Sequence, residues 1–321
     1  MRIFLTGGAG FIGSHLVEAC LARGDEVVVL DNFDPFYARE RKEANLATAR
    51  SQPGFVRLCE GDLRDRSLIQ REISEFAPDA VVHLAALAGV RPSLEAPDRY
   101  CDVNLTGTAV LLQEAVRAGV GRFLFTSSSS VYGAKPRGPF VEDAEADRPL
   151  SPYGATKRGG ELLCHAVHRT SAIAITCLRV FTAFGPRQRP DLAIHKFARL
   201  MLAGKPIPVF GDGNAERDFT FVTDIADGFL RALEHAHGFN TYNLGRGKPV
   251  TVNETIAILE RELGVSAERD HLPPQPGDAP RTWASIDRAR RELGYEPMVN
   301  YEDGIRAFVS WLRQEGGCEF S

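Results

Sequence analysis

Tyr153 and Lys157 stand four residues apart in the run Ser151-Pro152-Tyr153-Gly154-Ala155-Thr156-Lys157. At the start of a helix that spacing puts both side chains on one face. A phenol with an ordinary pKa of about 10 is a poor base at neutral pH. A lysine ammonium beside it favours the phenolate. Such a phenolate can take a proton from a hydroxyl while a hydride leaves the same carbon. A tyrosine four residues before a lysine is common on surface helices, so the reading depends on what surrounds it.

The hydride needs an acceptor, and the N-terminal stretch Ile3 to Gly13, I-F-L-T-G-G-A-G-F-I-G, points to one. The apolar run Ile3 to Leu5 predicts a buried strand, and the pattern from Phe11 to Arg23 predicts a helix. Glycines at 7, 8, 10 and 13 lie between them. Strand, glycine turn and helix form the context of a dinucleotide-binding fingerprint. A pyrophosphate needs backbone N–H donors and the positive end of a helix, and side chains on the turn would block its approach. Gly7, Gly10, Phe11, Ile12 and Gly13 are therefore placed against the cofactor. A second strand, Glu26 to Leu30, ends at Asp31, eighteen residues beyond Gly13. An acid there accepts hydrogen bonds from the adenosine ribose and repels a 2′-phosphate. No arginine immediately follows, so NAD is expected over NADP. The cationic nicotinamide ring would then help to stabilise the Tyr153 phenolate.

These parts must be held by alternating strands and helices. After Asp31 and Asn32, a charged helix is expected at residues 39–50, a strand at 55–59, a helix at 67–76 and a strand at 80–84. A long helix carrying Asn104 is expected at 98–118, and a fifth strand at 121–126. The alternation predicts an α/β fold, a Rossmann-type doubly wound parallel sheet. Its crevice lies at the carboxyl ends of the strands. Asp62 and Leu63 fall there, as do Leu84, Ala85 and Ala86 and the serines 127 to 130. Beyond about residue 180 many prolines break short segments, which predicts a smaller, irregular C-terminal lobe. The expected domains are 1–180, binding NAD, and 181–321, mainly binding substrate. Segments near 172–178 and 220–245 are expected to return to the sheet.

The chain has 321 residues, 44% hydrophobic and 25% charged, with a formal net charge of −4. That is ordinary for a globular protein. No basic block invites nucleic acid, no apolar run is long enough to span a bilayer, and no metal site is expected. The six cysteines, at 20, 59, 101, 164, 177 and 318, are scattered without a C-x-x-C pair. They read as reduced thiols of a cytoplasmic protein. Met1 and Arg2 lead directly into the first strand, so no signal peptide is expected.

T-G-G-A-G-F-I-G, the S-S-S-S-V-Y-G run at 127–133 and the Tyr153/Lys157 pair together resemble the extended short-chain dehydrogenase/reductases. Among these the chain is similar to the nucleotide-sugar epimerases over nearly its whole length. The resemblance implies that Ser128 hydrogen-bonds the reacting hydroxyl beside Tyr153, and that Lys157 also contacts the nicotinamide ribose. Ser129 and Ser130 occupy the places where the family's dehydratases carry Asp-Glu. Thr182 in L-R-V-F-T stands where UDP-galactose epimerases have asparagine. This threonine, the following F-G-P-R-Q-R-P-D-L and the segments at 83–94 and 275–282 look like UDP-glucuronate 4-epimerases. A uronate carries a carboxylate, for which a fixed guanidinium is a good partner. Arg189 is the candidate, helped by Thr182, Ser129 and Ser130. Arg91 is an alternative sugar or diphosphate contact. By resemblance Arg217 grips the diphosphate and Asp278 contacts a ribose. Gln275 stands where a second phosphate arginine is expected. Phe210 is placed on the uracil and Lys196 near the nucleotide. The expected reaction is C4 epimerisation of UDP-glucuronate through a 4-keto sugar. UDP-hexose epimerisation, UDP-glucuronate decarboxylation and a non-catalytic NAD sensor are the alternatives. Helices near 98–118 and 153–169 are expected to pair in a homodimer, as in the family.

Overall fold

Strands rich in Val, Ile, Leu and Phe, apolar on both faces, belong in the middle of a parallel sheet covered on both sides. The computed structural model describes residues 1–134, 138–273 and 280–315 and shows that arrangement. In chain order the elements are β1 (Arg2–Thr6), α1 (Phe11–Ala22), β2 (Glu26–Asp31), α2 (Arg39–Arg50), β3 (Phe55–Glu60), α3 (Arg66–Phe76) and β4 (Ala80–His83). Then come α4 (Val90–Glu95), α5 (Pro97–Cys101), a π-turn (Asp102–Thr106), α6 (Gly107–Arg117), β5 (Arg122–Ser128), a 3₁₀ turn (Ser129–Tyr132), α7 (Pro152–Thr170) and β6 (Ala174–Val180). The remainder is β7 (Thr182–Phe184), α8 (Ala193–Leu202), β8 (Ile207–Phe210), β9 (Glu216–Arg217), β10 (Phe219–Phe221), α9 (Val222–Glu234) and β11 (Phe239–Leu244). The chain closes with β12 (Val250–Thr251), α10 (Val252–Leu263), β13 (Arg269–Leu272), β14 (Arg281–Thr282), α11 (Asp287–Leu293) and α12 (Tyr301–Glu315).

The main sheet has seven parallel strands in the order β11-β6-β5-β4-β1-β2-β3. Alternation along β1 sends Ile3 and Leu5 to one face, with Leu16, Val17, Phe229 and Leu233 of α1 and α9. Phe4 goes to the other face, with Ile69, Ile73, Leu111 and Phe125 of α3, α6 and β5. Each such buried side chain contributes roughly 1.5–3 kcal/mol. A third cluster of Phe184, Ile194, Phe197, Phe221, Leu259 and Phe308 fills the lobe built on the short sheets. Strand order reverses between β1 and β4, which opens a crevice at their carboxyl ends.

Two differences from the sequence reading bear on the site. The fifth strand continues to Ser128, because Ser127 and Ser128 pair with Arg179 and Val180 of β6. Sheet pairing there outweighs the weak strand preference of serine. The long helix after residue 97 is broken by the π-turn at Asp102–Thr106, which contains Asn104. Such turns recur at functional sites. Among the described residues no helix is long and apolar enough to cross a membrane. The five described cysteines are free thiols, and Cys318 lies outside the described residues.

Candidate active site

The crevice is a cleft of about 510 Å³. One wall is the glycine turn. Gly7 has φ +77, and a Cβ on it would meet the Ala85 nitrogen at 2.7 Å. A Cβ on Gly13 would lie 2.1 Å from the Gly7 carbonyl oxygen. Gly10 caps α1 with no side chain on the first-turn N–H groups, and that turn carries no acid. Open donors at a helix N-terminus make an anion site, so the cradle fits a dinucleotide pyrophosphate.

Asp31 closes the next wall. Its carboxylate accepts the Ala9 N–H at 3.0 Å and the Phe33 N–H at 2.9 Å. A carboxylate has about four acceptor positions, so two remain for ribose hydroxyls. Burial raises the Asp31 pKa, and the Lys42 ammonium is the largest influence opposing it. Asn32, Asp62, Leu63, Leu84, Ala85 and Ala86 line the cleft as expected from sequence. Arg64 grips both oxygens of Asp62 at 2.8 Å and holds its pKa down at about 2.

Asn104 is brought near the cleft without lining it. Its Oδ1 accepts the Leu87 N–H at 2.8 Å, and its Nδ2 donates to the Leu87 carbonyl and the Thr156 hydroxyl, each at 3.0 Å. The π-turn thus ties the loop after β4 to α7. A buried chain of hydrogen bonds runs beneath it. Ala85 N–H donates to Thr6 Oγ1 at 3.2 Å, and the Thr6 hydroxyl meets His83 Nδ1 at 2.8 Å. His83 Nε2 lies 2.9 Å from Thr108 Oγ1, which donates to the Asn104 carbonyl. Because Thr108 spends its proton on a carbonyl, His83 must donate from Nε2 and accept at Nδ1.

Ser151 caps α7 by accepting the Gly154 N–H at 3.1 Å, which places Tyr153 in the first turn and Lys157 in the second. Burial pushes the Tyr153 phenol above its ordinary pKa; Ser128 and then Arg189 favour its ionised form. Lys157 is only 4% exposed and donates to the Thr126 carbonyl at 2.8 Å. Burial lowers its pKa to about 8. Among the described residues the Arg189 charge favours the Tyr153 phenolate, while the Lys157 ammonium donates to Thr126. Ser128 Oγ accepts the Ser130 N–H at 3.1 Å, and Ser128, Ser129, Ser130, Thr182 and Arg189 all line the cleft beside Tyr153 and Lys157. Behind the serines, Ser127 donates to Glu161 at 2.6 Å, and Arg179 grips both oxygens of that carboxylate at 2.8 and 2.9 Å.

The loop carrying Arg189 hangs on α1. His15 Nε2 donates to the Pro186 carbonyl at 3.0 Å, and Arg187 Nη2 donates to Glu18 at 2.7 Å. Arg187 sits in the left-handed region at φ 63, where the Cβ of any non-glycine residue crowds the backbone.

Four candidates lie away from the cleft lining. Arg91 stacks over Phe210 at 4.6 Å, joining the start of α4 to the end of β8. Lys196 is exposed on α8, and Arg217 Nη1 donates to the Glu216 carbonyl at 2.9 Å. Asp278 and Gln275 lie outside the described residues. The sequence reading missed Phe36, Tyr37, Lys42, Arg99 and Tyr100, all of which line the cleft. The Tyr100 ring packs edge-on against Tyr153 with centroids 6.3 Å apart. Tyr37 has a buried hydroxyl with no partner among the described residues. The aromatic turn D-N-F-D-P-F-Y was the available signal, directly after the strand that ends at Asp31.

Residues 3–245 match the family described as "NAD dependent epimerase/dehydratase family". A UDP-glucuronate 4-epimerase of Thermodesulfobacterium geofontis is 39% identical, covering 97% of this chain and 95% of that protein. The structure of UDP-glucuronic acid 4-epimerase from Bacillus cereus, in complex with UDP-glucuronic acid and NAD, superposes with a TM-score of 0.93 at 37% identity, over 98% of this chain and 100% of that one. A dTDP-glucose 4,6-dehydratase of Streptomyces venezuelae with NAD bound gives 0.92 at 35% identity, over 99% and 98%.

Proposed function

Because the chain belongs to the NAD-dependent epimerase/dehydratase family, we propose that it inverts C4 of a UDP-sugar, and that the sugar is glucuronate. The observation that carries this reading is Arg189, a guanidinium in the cleft beside Tyr153, among the hydroxyls of Ser129, Ser130 and Thr182. Arg189 already pairs with Asp191 through Nε and Nη2, so what it offers the sugar is its remaining N–H donors, for which a uronate carboxylate is a stronger acceptor than the hydroxyls of a neutral hexose.

NAD, held by the glycine turn, Asp31 and Lys157, would supply the acceptor for the C4 hydrogen and the hydride that goes back to the opposite face. Tyr153 removes the O4 proton, with Ser128 hydrogen-bonded to the same oxygen. Lys157 keeps positive charge at the end of β5. The 4-keto sugar turns within the cleft, Tyr153 returns the proton, and C4 is left inverted. The keto sugar is a β-keto acid. Its breaking C5–carboxylate bond must overlap the carbonyl π system before CO₂ can leave. Arg189 and the serine hydroxyls hold the carboxylate in the plane of the C4 carbonyl, where that overlap is poor.

Elimination of water calls for an acid at the sugar. Among the described residues the carboxylates lining the cleft are Asp31, Asp34 and Asp62, which belong to the ends of β2 and β3 and the loops after them. Ser129 and Ser130 occupy the places beside Ser128. This favours epimerisation over dehydration. The test is purified protein incubated separately with UDP-glucuronate and UDP-glucose, without added cofactor, with products followed by NMR and mass. UDP-galacturonate formed from C4-deuterated UDP-glucuronate with the deuterium retained supports the reading. Turnover of UDP-glucose alone, or a UDP-pentose as main product, rejects it.

A further inference from the structure

Arg189 is gripped along one edge by Asp191. Nε donates to one oxygen of Asp191 at 2.9 Å and Nη2 to the other at 2.7 Å. The guanidinium also lies over the Phe36 ring, 5.0 Å from its centroid. Asp191 belongs to the same short turn, closed by the Leu192 N–H donating to the Arg189 carbonyl at 3.2 Å. A guanidinium carries five N–H donors in a rigid plane. The aspartate occupies two, both on the Nε edge. Among the described residues the Nη1 end has no protein hydrogen bond, and Arg189 lines the cleft.

We propose that Asp191 is a positioning residue for uronate selectivity: by holding the Nε edge of Arg189 it presents the Nη1 end to the substrate carboxylate in one orientation. This rests on the reading of the cleft as a UDP-uronate site. The physical argument is preorganisation. An arginine side chain has several rotatable bonds, and ordering it on binding weakens affinity. A bidentate carboxylate fixes both the position and the tilt of the plane. The aspartate also balances the arginine charge, so the cation need not find another anion when the sugar is absent. Direction matters as much as affinity here, because the substrate carboxylate must lie in the carbonyl plane to resist loss of CO₂.

The experiment compares the wild type with Asp191→Ala, Asp191→Asn and Arg189→Ala. Bound NAD content and circular dichroism serve as checks on folding. Asp191→Asn keeps the size of the side chain and one acceptor oxygen, so it carries the test if the alanine variant does not fold. The readouts are KM and kcat for UDP-glucuronate, the dissociation constant for UDP-glucose, and the fraction of UDP-pentose formed. Asp191→Ala is expected to raise KM for UDP-glucuronate roughly tenfold, the cost of one misplaced charged hydrogen bond. It should raise the pentose fraction and leave UDP-glucose binding unchanged, with Asp191→Asn intermediate. Unchanged KM and pentose fraction in both Asp191 variants, where Arg189→Ala impairs both, overturns the proposal and leaves the uronate reading standing. A lower KM would show Asp191 to be a competitor for Arg189 and would equally overturn it. If Arg189→Ala is silent as well, the uronate reading falls and this proposal with it.

Discussion

The Lys157 ammonium donates to the carbonyl of Thr126 at 2.8 Å, tying the second turn of α7 to the end of β5. Its pKa is lowered to about 8 by burial. The charge is present below that pH and lost above it. Activity needs an ionised phenol and a charged Lys157 together. Burial raises the Tyr153 pKa and lowers that of Lys157 to about 8, so we expect kcat/KM for the UDP-sugar to rise up to about pH 8 and then level off, the growing phenolate fraction offset by loss of charge on Lys157. Lys157→Arg should be slower overall, yet keep rising through pH 8, since a guanidinium keeps its proton throughout this range. A plateau unmoved in that variant would assign it to another group. Tyr153→Phe should lower kcat by roughly 10²–10⁴-fold, the contribution of one positioned acid–base group, without loss of bound NAD.

His83 offers a test through stability. It is fully enclosed, with burial lowering its pKa to about 3 from 6.5. Between those values the unfolded chain binds more protons than the folded one. Stability is therefore complete above about pH 6.5 and falls as the pH drops through the window, by about 1.4 kcal/mol per pH unit. His83→Gln, which cannot titrate, should lose stability at pH 7 and show a shallower decline in acid. Urea unfolding of both proteins at pH 4.5, 5.5 and 7 measures the difference in slope. Parallel curves would mean that the imidazole takes up a proton without unfolding.

Much of this was legible in the sequence because the signals were local. The glycine turn, Asp31 and the Tyr153/Lys157 spacing each lie within one strand–helix unit, and backbone geometry alone places them. What sequence could not supply was pairing across distance. Ser127 and Ser128 join a strand only because β6 lies beside them. Asn104 reads as one helical position among many until Leu87 and Thr156 come against it. A second cation acting on Tyr153, Arg189, lies thirty-six residues away, and no periodicity links the two. Tyr37 and Lys42 were hidden for a related reason: one lies in the turn after Asp31 and the other in the first turn of α2, and only the packed structure brings both against the cleft.

The glycines divide into two kinds, which substitution can separate. A Cβ on Gly13 would collide with the Gly7 carbonyl at 2.1 Å, so Gly13→Ala should destabilise the whole N-terminal unit. A Cβ on Gly10 meets only that same carbonyl, at 3.2 Å, and its backbone has φ −74. Gly10→Ala should therefore fold with a melting temperature close to wild type and still purify with little NAD, because the methyl group occupies the path of the pyrophosphate. Thermal melting and bound-nucleotide content of the two variants check this. Full NAD content in Gly10→Ala would place the phosphates elsewhere.

The contact of His15 with the Pro186 carbonyl joins the phosphate-binding helix to the loop that carries Arg189. Burial lowers the His15 pKa, so the ring is neutral at pH 7 and its Nε2–H is a dependable donor. Removing it with His15→Ala leaves the Arg187–Glu18 pair as the loop's remaining side-chain tie to α1 among the described residues, with His195 still holding the Gln188 carbonyl. The expected effect is a KM for UDP-glucuronate raised roughly three- to tenfold, the worth of about one hydrogen bond, with bound NAD retained. If the effect travels through Arg189, it must vanish when Arg189 is already gone. The double variant His15→Ala/Arg189→Ala should then be no worse than Arg189→Ala, a coupling that a double-mutant cycle measures directly. Strictly additive losses would show that His15 supports the site by another route, for which packing of its ring against Phe11, edge-on at 6.1 Å, is the structural alternative.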